Sequence, residues 1–122
     1  MSHKILIVDD EPNIVLSLEF LMRQAGYQVR TANDGVAALT AVAEDCPDLI
    51  LLDAMMPNKN GFEVCQEIRA NADLSHVKIV MLTAKGREVD REKGMAMGAD
   101  DYITKPFSTR EVVNRIAELM AE

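Results

Sequence analysis

Two cysteines, Cys46 and Cys65, are all the chain has, and they lack a C-x-x-C spacing. That excludes a disulfide framework or a cysteine metal centre, and both thiols are expected to be free and half-buried. The two histidines, His3 and His76, stand singly and read as surface residues, not metal ligands. Basic charge is short as well: 13 Lys and Arg against 20 Asp and Glu leave a net charge of −7. Gripping nucleic acid or an anionic membrane takes clustered cations against phosphate, so neither is expected as a direct partner. No apolar run approaches the ~20 residues of a membrane helix. The first such run, Ile5-Leu6-Ile7-Val8, is too short for a signal-peptide core, so a cytoplasmic location is expected.

What is present suffices for one compact domain over residues 1–122. Hydrophobic residues make up 48% of the chain and charged residues 27%, enough to build a core and stay soluble. Ile5–Val8, Leu49–Leu52 and Val77–Leu82 are near-continuous apolar runs, the pattern of strands covered on both faces of a parallel sheet. Tyr102-Ile103 reads as a fourth, short strand, and the more polar Tyr27–Thr31 as a strand at the sheet edge.

Helical spacing fills the intervals. Ile14, Leu18, Leu21 and Met22 form one stripe after Pro12, and Gly26 closes that helix. Val36, Leu39 and Ala43 give a second stripe, and Gly61, Val64, Cys65 and Ile68 a third. Arg87–Met97 is charged and carries Gly94 internally, so its helix is expected to be the least rigid. Ser108-Thr109-Arg110-Glu111 matches a capping box, and Val112, Ile116, Leu119 and Met120 supply the buried face of the last helix. Five βα units with short connections and right-handed crossovers predict an α/β fold, a doubly wound parallel sheet with helices on both faces.

The polar residues fall at the strand ends. Asp9-Asp10-Glu11 follows the first strand, Asp53 the third, Thr83-Ala84 the fourth and Thr104-Lys105-Pro106 the fifth. Ligands of open α/β sheets bind outside these carboxyl ends. Each motif has a plainer alternative: acids at a helix start, a strand-ending Asp, a Thr serving local backbone, a surface Lys-Pro turn. Their joint placement argues for a site. Three crowded carboxylates against one ammonium demand either raised carboxyl pKa values or a divalent cation. A few hard oxygen ligands suit Mg²⁺, which also neutralises an incoming phosphoryl group.

The chain resembles the response-regulator receiver domains, the CheY-like family, over essentially its whole length. The resemblance rests on Ile5–Glu11, Asp48–Asp53, Met56-Pro57 with Gly61, Leu82-Thr83-Ala84, and Gly98–Phe107. It implies a flavodoxin-like (βα)5 sheet of strand order 2-1-3-4-5 and a phosphoacceptor switch fed by a sensor histidine kinase or phosphotransfer protein. Asp53 is then the nucleophile; Asp10, Asp53 and the Met55 carbonyl ligate Mg²⁺; Asp9 holds the ion mainly through water. Thr83, the Ala84 amide and Lys105 bind phosphoryl oxygens, and the Lys105-Pro106 bond is cis. Thr83 is the sensor, and Tyr102 the reporter that turns from an exposed to a buried rotamer. Met55 and Lys85 stand where side chains gate water's approach to an acyl phosphate. Arg91, Asp101, Glu111 and Arg115 resemble the charges of symmetric receiver dimers, thinned here by Ala96 and Ala117.

Two other functions share parts of this pattern. A haloacid-dehalogenase-type phosphatase needs an acid two residues beyond its nucleophile, where this chain has Met55. A flavodoxin-like FMN binder needs a phosphate loop after the first strand, where this chain has three acids. The chain is expected to be no conventional enzyme, acting only on itself. It is expected to be a stand-alone receiver; the alternative is the front end of a DNA-binding regulator.

Overall fold

A computed structural model describes residues 3–56, 58–84 and 86–121. Pro57, part of the Met56-Pro57 motif, and Lys85, read as a gating position, lie outside the described residues. The elements alternate: β1 Lys4–Val8, α1 Pro12–Gln24, β2 Gln28–Ala32, α2 Gly35–Glu44, β3 Leu49–Asp53, α3 Gly61–Ala70, β4 Lys78–Ala84, α4 Glu88–Ala96, β5 Asp101–Lys105 and α5 Thr109–Met120. The five strands pair in parallel in the order β2-β1-β3-β4-β5, as the family resemblance implies.

Strand alternation splits the core into two layers. Leu6, Val8, Ile50, Leu52, Ile79 and Met81 face Ala38, Val64 and Ile68 of α2 and α3. Ile5, Ile7, Leu49, Leu51, Val80, Leu82 and Ile103 face Leu18 and Met22 of α1 and Val112 and Ile116 of α5. Leu49–Leu52 are all 0% exposed, and burying each such side chain is worth roughly 1.5–3 kcal/mol. That explains the unbroken apolar run in the central strand. The register sets Val8 beside Leu52, Asp53 beside Leu82 and Ala84 beside Lys105, so the carboxyl ends of β1, β3, β4 and β5 finish together.

Several local expectations are corrected. In α2 the buried residues are Gly35, Ala38, Ala41 and Val42, whereas Val36 and Ala43 are exposed. Its sequence is apolar nearly all round, so periodicity alone picks no face, and the smallest residues take the closest packing. In α5 only half of the capping box forms. Ser108 accepts from the Glu111 amide at 3.0 Å, but the Glu111 carboxylate sits 3.7 Å from Arg115. Leu119 and Met120 are half-buried. A complete box occurs instead at α3, where Asn60 and Glu63 exchange both bonds at 3.0 Å. β5 is longer than its two apolar residues suggest, because Asp101, Thr104 and Lys105 pair with β4 whatever their polarity.

The scarce residues are also placed. Cys65 is buried and Cys46 half-buried; both are free. The histidines have neighbours after all: His76 Nε2 lies 3.7 Å from Cys46 Sγ, and His3 Nδ1 3.8 Å from Asp48. No helix among the described residues is long and apolar enough to cross a membrane.

Candidate metal and phosphoryl site

Asp9 extends the Ile5, Ile7 row of β1, Asp53 the Leu49, Leu51 row of β3, and Lys105 the Ile103 row of β5. All three side chains therefore leave the sheet on the α1/α5 face, where they meet. Lys105 Nζ donates to Asp9 Oδ2 at 2.8 Å and lies 3.4 Å from Asp53 Oδ1 and 3.6 Å from Glu11 Oε1. The other Asp9 oxygen accepts from the Glu11 amide at 2.9 Å, which fixes the turn into α1. Asp53 Oδ1 accepts from the Met55 amide at 3.3 Å. Carboxylate oxygens of Asp9, Asp10 and Asp53 all lie within 4.8 Å of one another, and among the described residues no other group of three metal-type donors gathers.

The electrostatics follow from burial. Removal from water pushes the Asp53 carboxyl up to about 7, the Asp9 charge adds to this, and Lys105 offsets part of it. Burial alone would lower the Lys105 pKa. The bond to Asp9 and the charges of Asp53, Asp9 and Glu11 outweigh that and hold it above its ordinary value. Three close carboxylates against one ammonium form an oxygen-only donor set with surplus negative charge, which fits a hard divalent cation such as Mg²⁺. Asp10, Asp53, Met55, Ala84 and Lys105 line an open cleft of about 270 Å³ here. A cavity of about 330 Å³ at the opposite end of the sheet holds Lys4 already paired with Asp45 at 2.8 Å, and no converging carboxylates.

The remaining residues singled out by the sequence are distributed unevenly. Ala84 is exposed at the cleft wall, and Met55 is 58% exposed. Thr83 is not in the wall; it continues the Ile79, Met81 row on the other face and is 3% exposed. Tyr102, paired with Met81 where Thr104 pairs with Thr83, shares that face and packs against the same core layer. Its ring is half-buried rather than exposed, with the Arg91 guanidinium 4.5 Å and that of Arg115 5.9 Å from its centroid. The proposed dimer charges have partners within the chain: Arg115 with Asp101 at 2.8 Å and Glu111 at 3.7 Å, Arg91 with Glu88 at 3.2 Å. The Lys105-Pro106 bond is cis.

Two supporting features escaped the sequence reading. A Cβ on Gly61 would stand 2.2 Å from the Asp53 carbonyl oxygen, so α3 starts directly against the backbone of the nucleophile candidate. The sequence places Gly61 in the stripe of this helix and beside the Met56-Pro57 motif, but gives no sign of its contact with Asp53. Arg69 of α3 donates to the Gly98 carbonyl and to Asp100, both at 2.8 Å, bracing the turn between α4 and β5. Nothing in its spacing announces a contact across 29 residues.

The sequence profile of the response regulator receiver domain matches residues 5–117. A putative response regulator from Chloroflexus aurantiacus is 35% identical, with each chain covered completely and a TM-score of 0.96. The chemotaxis response regulator CheY4 of Vibrio cholerae is 30% identical, with 98% of this chain and 100% of that one covered and a TM-score of 0.92. NtrX from Brucella abortus is 29% identical over 97% of this chain but only 26% of its own, with a TM-score of 0.86. With the fold, the strand order and the acid cluster, these matches establish that the chain belongs to the response-regulator receiver family of two-component systems.

Proposed function

We propose that the chain is a phosphoacceptor switch over residues 1–122, taking a phosphoryl group onto Asp53 from a phosphohistidine of a sensor kinase or phosphotransfer protein. The observation that carries this reading is the cluster of Asp9, Asp10 and Asp53 within 4.8 Å, with Lys105 3.4 Å from Asp53, in an open cleft. An Asp53 carboxylate oxygen forms the new P–O bond as the P–N bond to the donor imidazole breaks, and the released nitrogen keeps the electron pair. Asp10, Asp53 and the Met55 carbonyl would hold Mg²⁺, with Asp9 acting mainly through water. The bound ion supplies charge neutralisation for phosphoryl transfer. Lys105 reaches a phosphoryl oxygen from its position beside Asp53, and the Ala84 amide borders the same space.

Readout starts from Thr83. A phosphoryl group adds about −1.5 to −2 charge and strong acceptors, and its pull on the Thr83 hydroxyl draws the end of β4 toward the cleft. Tyr102 shares the face Thr83 leaves, so repacking there passes to α4, β5 and α5, the output face. Thr83→Ala is expected to keep phosphorylation and lose most of the conformational response. The chemistry is self-directed, and the exposed Met55 takes the place of the acid a phosphatase requires. We read the domain as cytoplasmic, and the near-complete mutual coverage with CheY4 supports a stand-alone receiver. The partial coverage of NtrX favours a second reading, the front end of a longer regulator.

Acetyl phosphate plus Mg²⁺, followed by intact mass, tests the assignment. The native protein is expected to gain one phosphoryl group and Asp53→Asn none; a gain that persists in the variant overturns it.

A further inference from the structure

The loop after Asp53 is tied to α2 by two contacts, and a strained backbone position lies at one of them. Asn58 adopts φ 68°, the only left-handed non-glycine conformation among the described residues. Its side-chain amide donates to Asp34 Oδ2 at 3.2 Å. The same Asp34 carboxylate caps α2, its Oδ1 accepting from the Ala37 amide at 2.8 Å. Next to it, a Cβ on Gly35 would lie 2.1 Å from the Lys59 carbonyl oxygen, so the loop backbone rests directly on the first residue of α2. Left-handed non-glycine residues persist where surrounding contacts over-determine them. Here the contacts are those of one carboxylate with a bond on each oxygen.

The position matters because Met55 lies between this tether and Asp53. Behind Met55 the chain is fixed by the Ala54 amide on Leu82 and by the Gly61 amide on the Ala54 carbonyl, at 3.0 and 3.1 Å. Ahead of it and before α3, the described ties to α2 are the Asp34–Asn58 bond and the Lys59 backbone resting on Gly35. We propose that Asp34 is a positioning residue for the metal site: by holding Asn58 it anchors the far side of the turn that carries Met55, and so the place of the Met55 carbonyl. It touches neither ion nor phosphoryl group. The inference rests on the Mg²⁺ reading proposed above.

Two substitutions separate the tether from plain structure. Asp34→Ser keeps a helix-capping oxygen but is too short to hold Asn58, and Asn58→Gly keeps the left-handed backbone but loses the amide. Titration with MgCl₂, followed by calorimetry and by the Met55 amide resonance, is expected to show Mg²⁺ bound about 2- to 10-fold more weakly in each. That is the size of one net hydrogen bond. The double variant should be no weaker than either single one. Asp34→Asn can cap α2 through its amide oxygen and, with the Asn58 amide turned over, donate to the Asn58 oxygen, so it should keep near-native affinity. Native affinity in both single variants, a loss in only one of them, or multiplied losses in the double variant would overturn the tether. Native protein that binds no Mg²⁺, or Asp10→Asn that binds it undiminished, would instead overturn the metal reading itself.

Discussion

Lys105 and Asp9, 96 positions apart in sequence, are joined by a 2.8 Å charge-assisted hydrogen bond in which the Asp9 side chain is wholly buried. The bond closes the gap between β1 and β5, which are not neighbours in the sheet. It also leaves Lys105 close enough to Asp53 to be shared between them. The ammonium that partners the buried Asp9 is thus the same one proposed to meet the phosphoryl group.

Lys105→Met leaves a buried carboxylate without its cation, a loss of about 3–5 kcal/mol for such pairs. Urea unfolding at pH 8 without Mg²⁺ should show it, and adding Asp9→Asn should recover much of the loss. The raised Lys105 pKa keeps the pair intact below the ordinary lysine value of about 10.4 and loses it only above the folded value. A loss under about 1 kcal/mol, typical of exposed pairs, would mean that Asp9 is not relying on Lys105.

The metal-free protein should become less stable as pH rises from about 4 to 7. The folded Asp53 carboxyl titrates near 7 and the unfolded one near 3.8, so between them the native state holds the extra proton. Stability therefore falls with pH across that window, by on the order of 2–4 kcal/mol, and levels off above it. Asp53→Asn should flatten the curve. Chemical denaturation in a chelator at several pH values measures both, and parallel curves for the two proteins would contradict the buried, charge-crowded state of Asp53.

Gly61→Ala should cost about 1–3 kcal/mol, the range for overpacking, because its Cβ would stand 2.2 Å from the Asp53 carbonyl oxygen. The same displacement moves Asp53, so phosphorylation by acetyl phosphate should slow as well. Gly26→Ala is the control. It meets open space at φ 98°, pays only a local backbone cost, and should leave the phosphorylation rate unchanged.

The central strands were legible because both their faces are buried, which leaves no polar position to blur the run; Leu49–Leu52 needed no tertiary knowledge. The acids and Lys105 were legible because each sits one or two residues past an apolar strand segment. The face of α2 was not, since its sequence GVAALTAVAE is apolar in almost every direction. The position of Thr83 was also hidden: sequence puts it at a strand end, but strand parity sends its side chain to the opposite layer from Asp53. The role of Arg69 was not legible either, because its acceptors, the Gly98 carbonyl and Asp100, come together only after α4 has folded back.

Arg69→Met should release that turn. Loss of charge-assisted bonds to Gly98 and Asp100 should cost about 1.5–3 kcal/mol. Hydrogen exchange should quicken most at Gly98 and Met97, whose amides bond to Met95, Lys93 and Gly94 in the last turn of α4. Unchanged protection there would show that the brace is incidental.

The brace gives α4 an unequal pair of ends. Its last turn is tied to α3 through Arg69 and through the Cys65 thiol on the Met97 carbonyl, at 3.6 Å. Its first turn has no side-chain cap and is stitched mainly to itself, Arg87 to Asp90 at 3.0 Å. In the switch proposed above, a shift at the tip of β4 would tilt the helix about its far end like an oar in a rowlock. Travel would grow along a rod of about 13 Å and be large in the first turn, where the Val89 side chain already faces water.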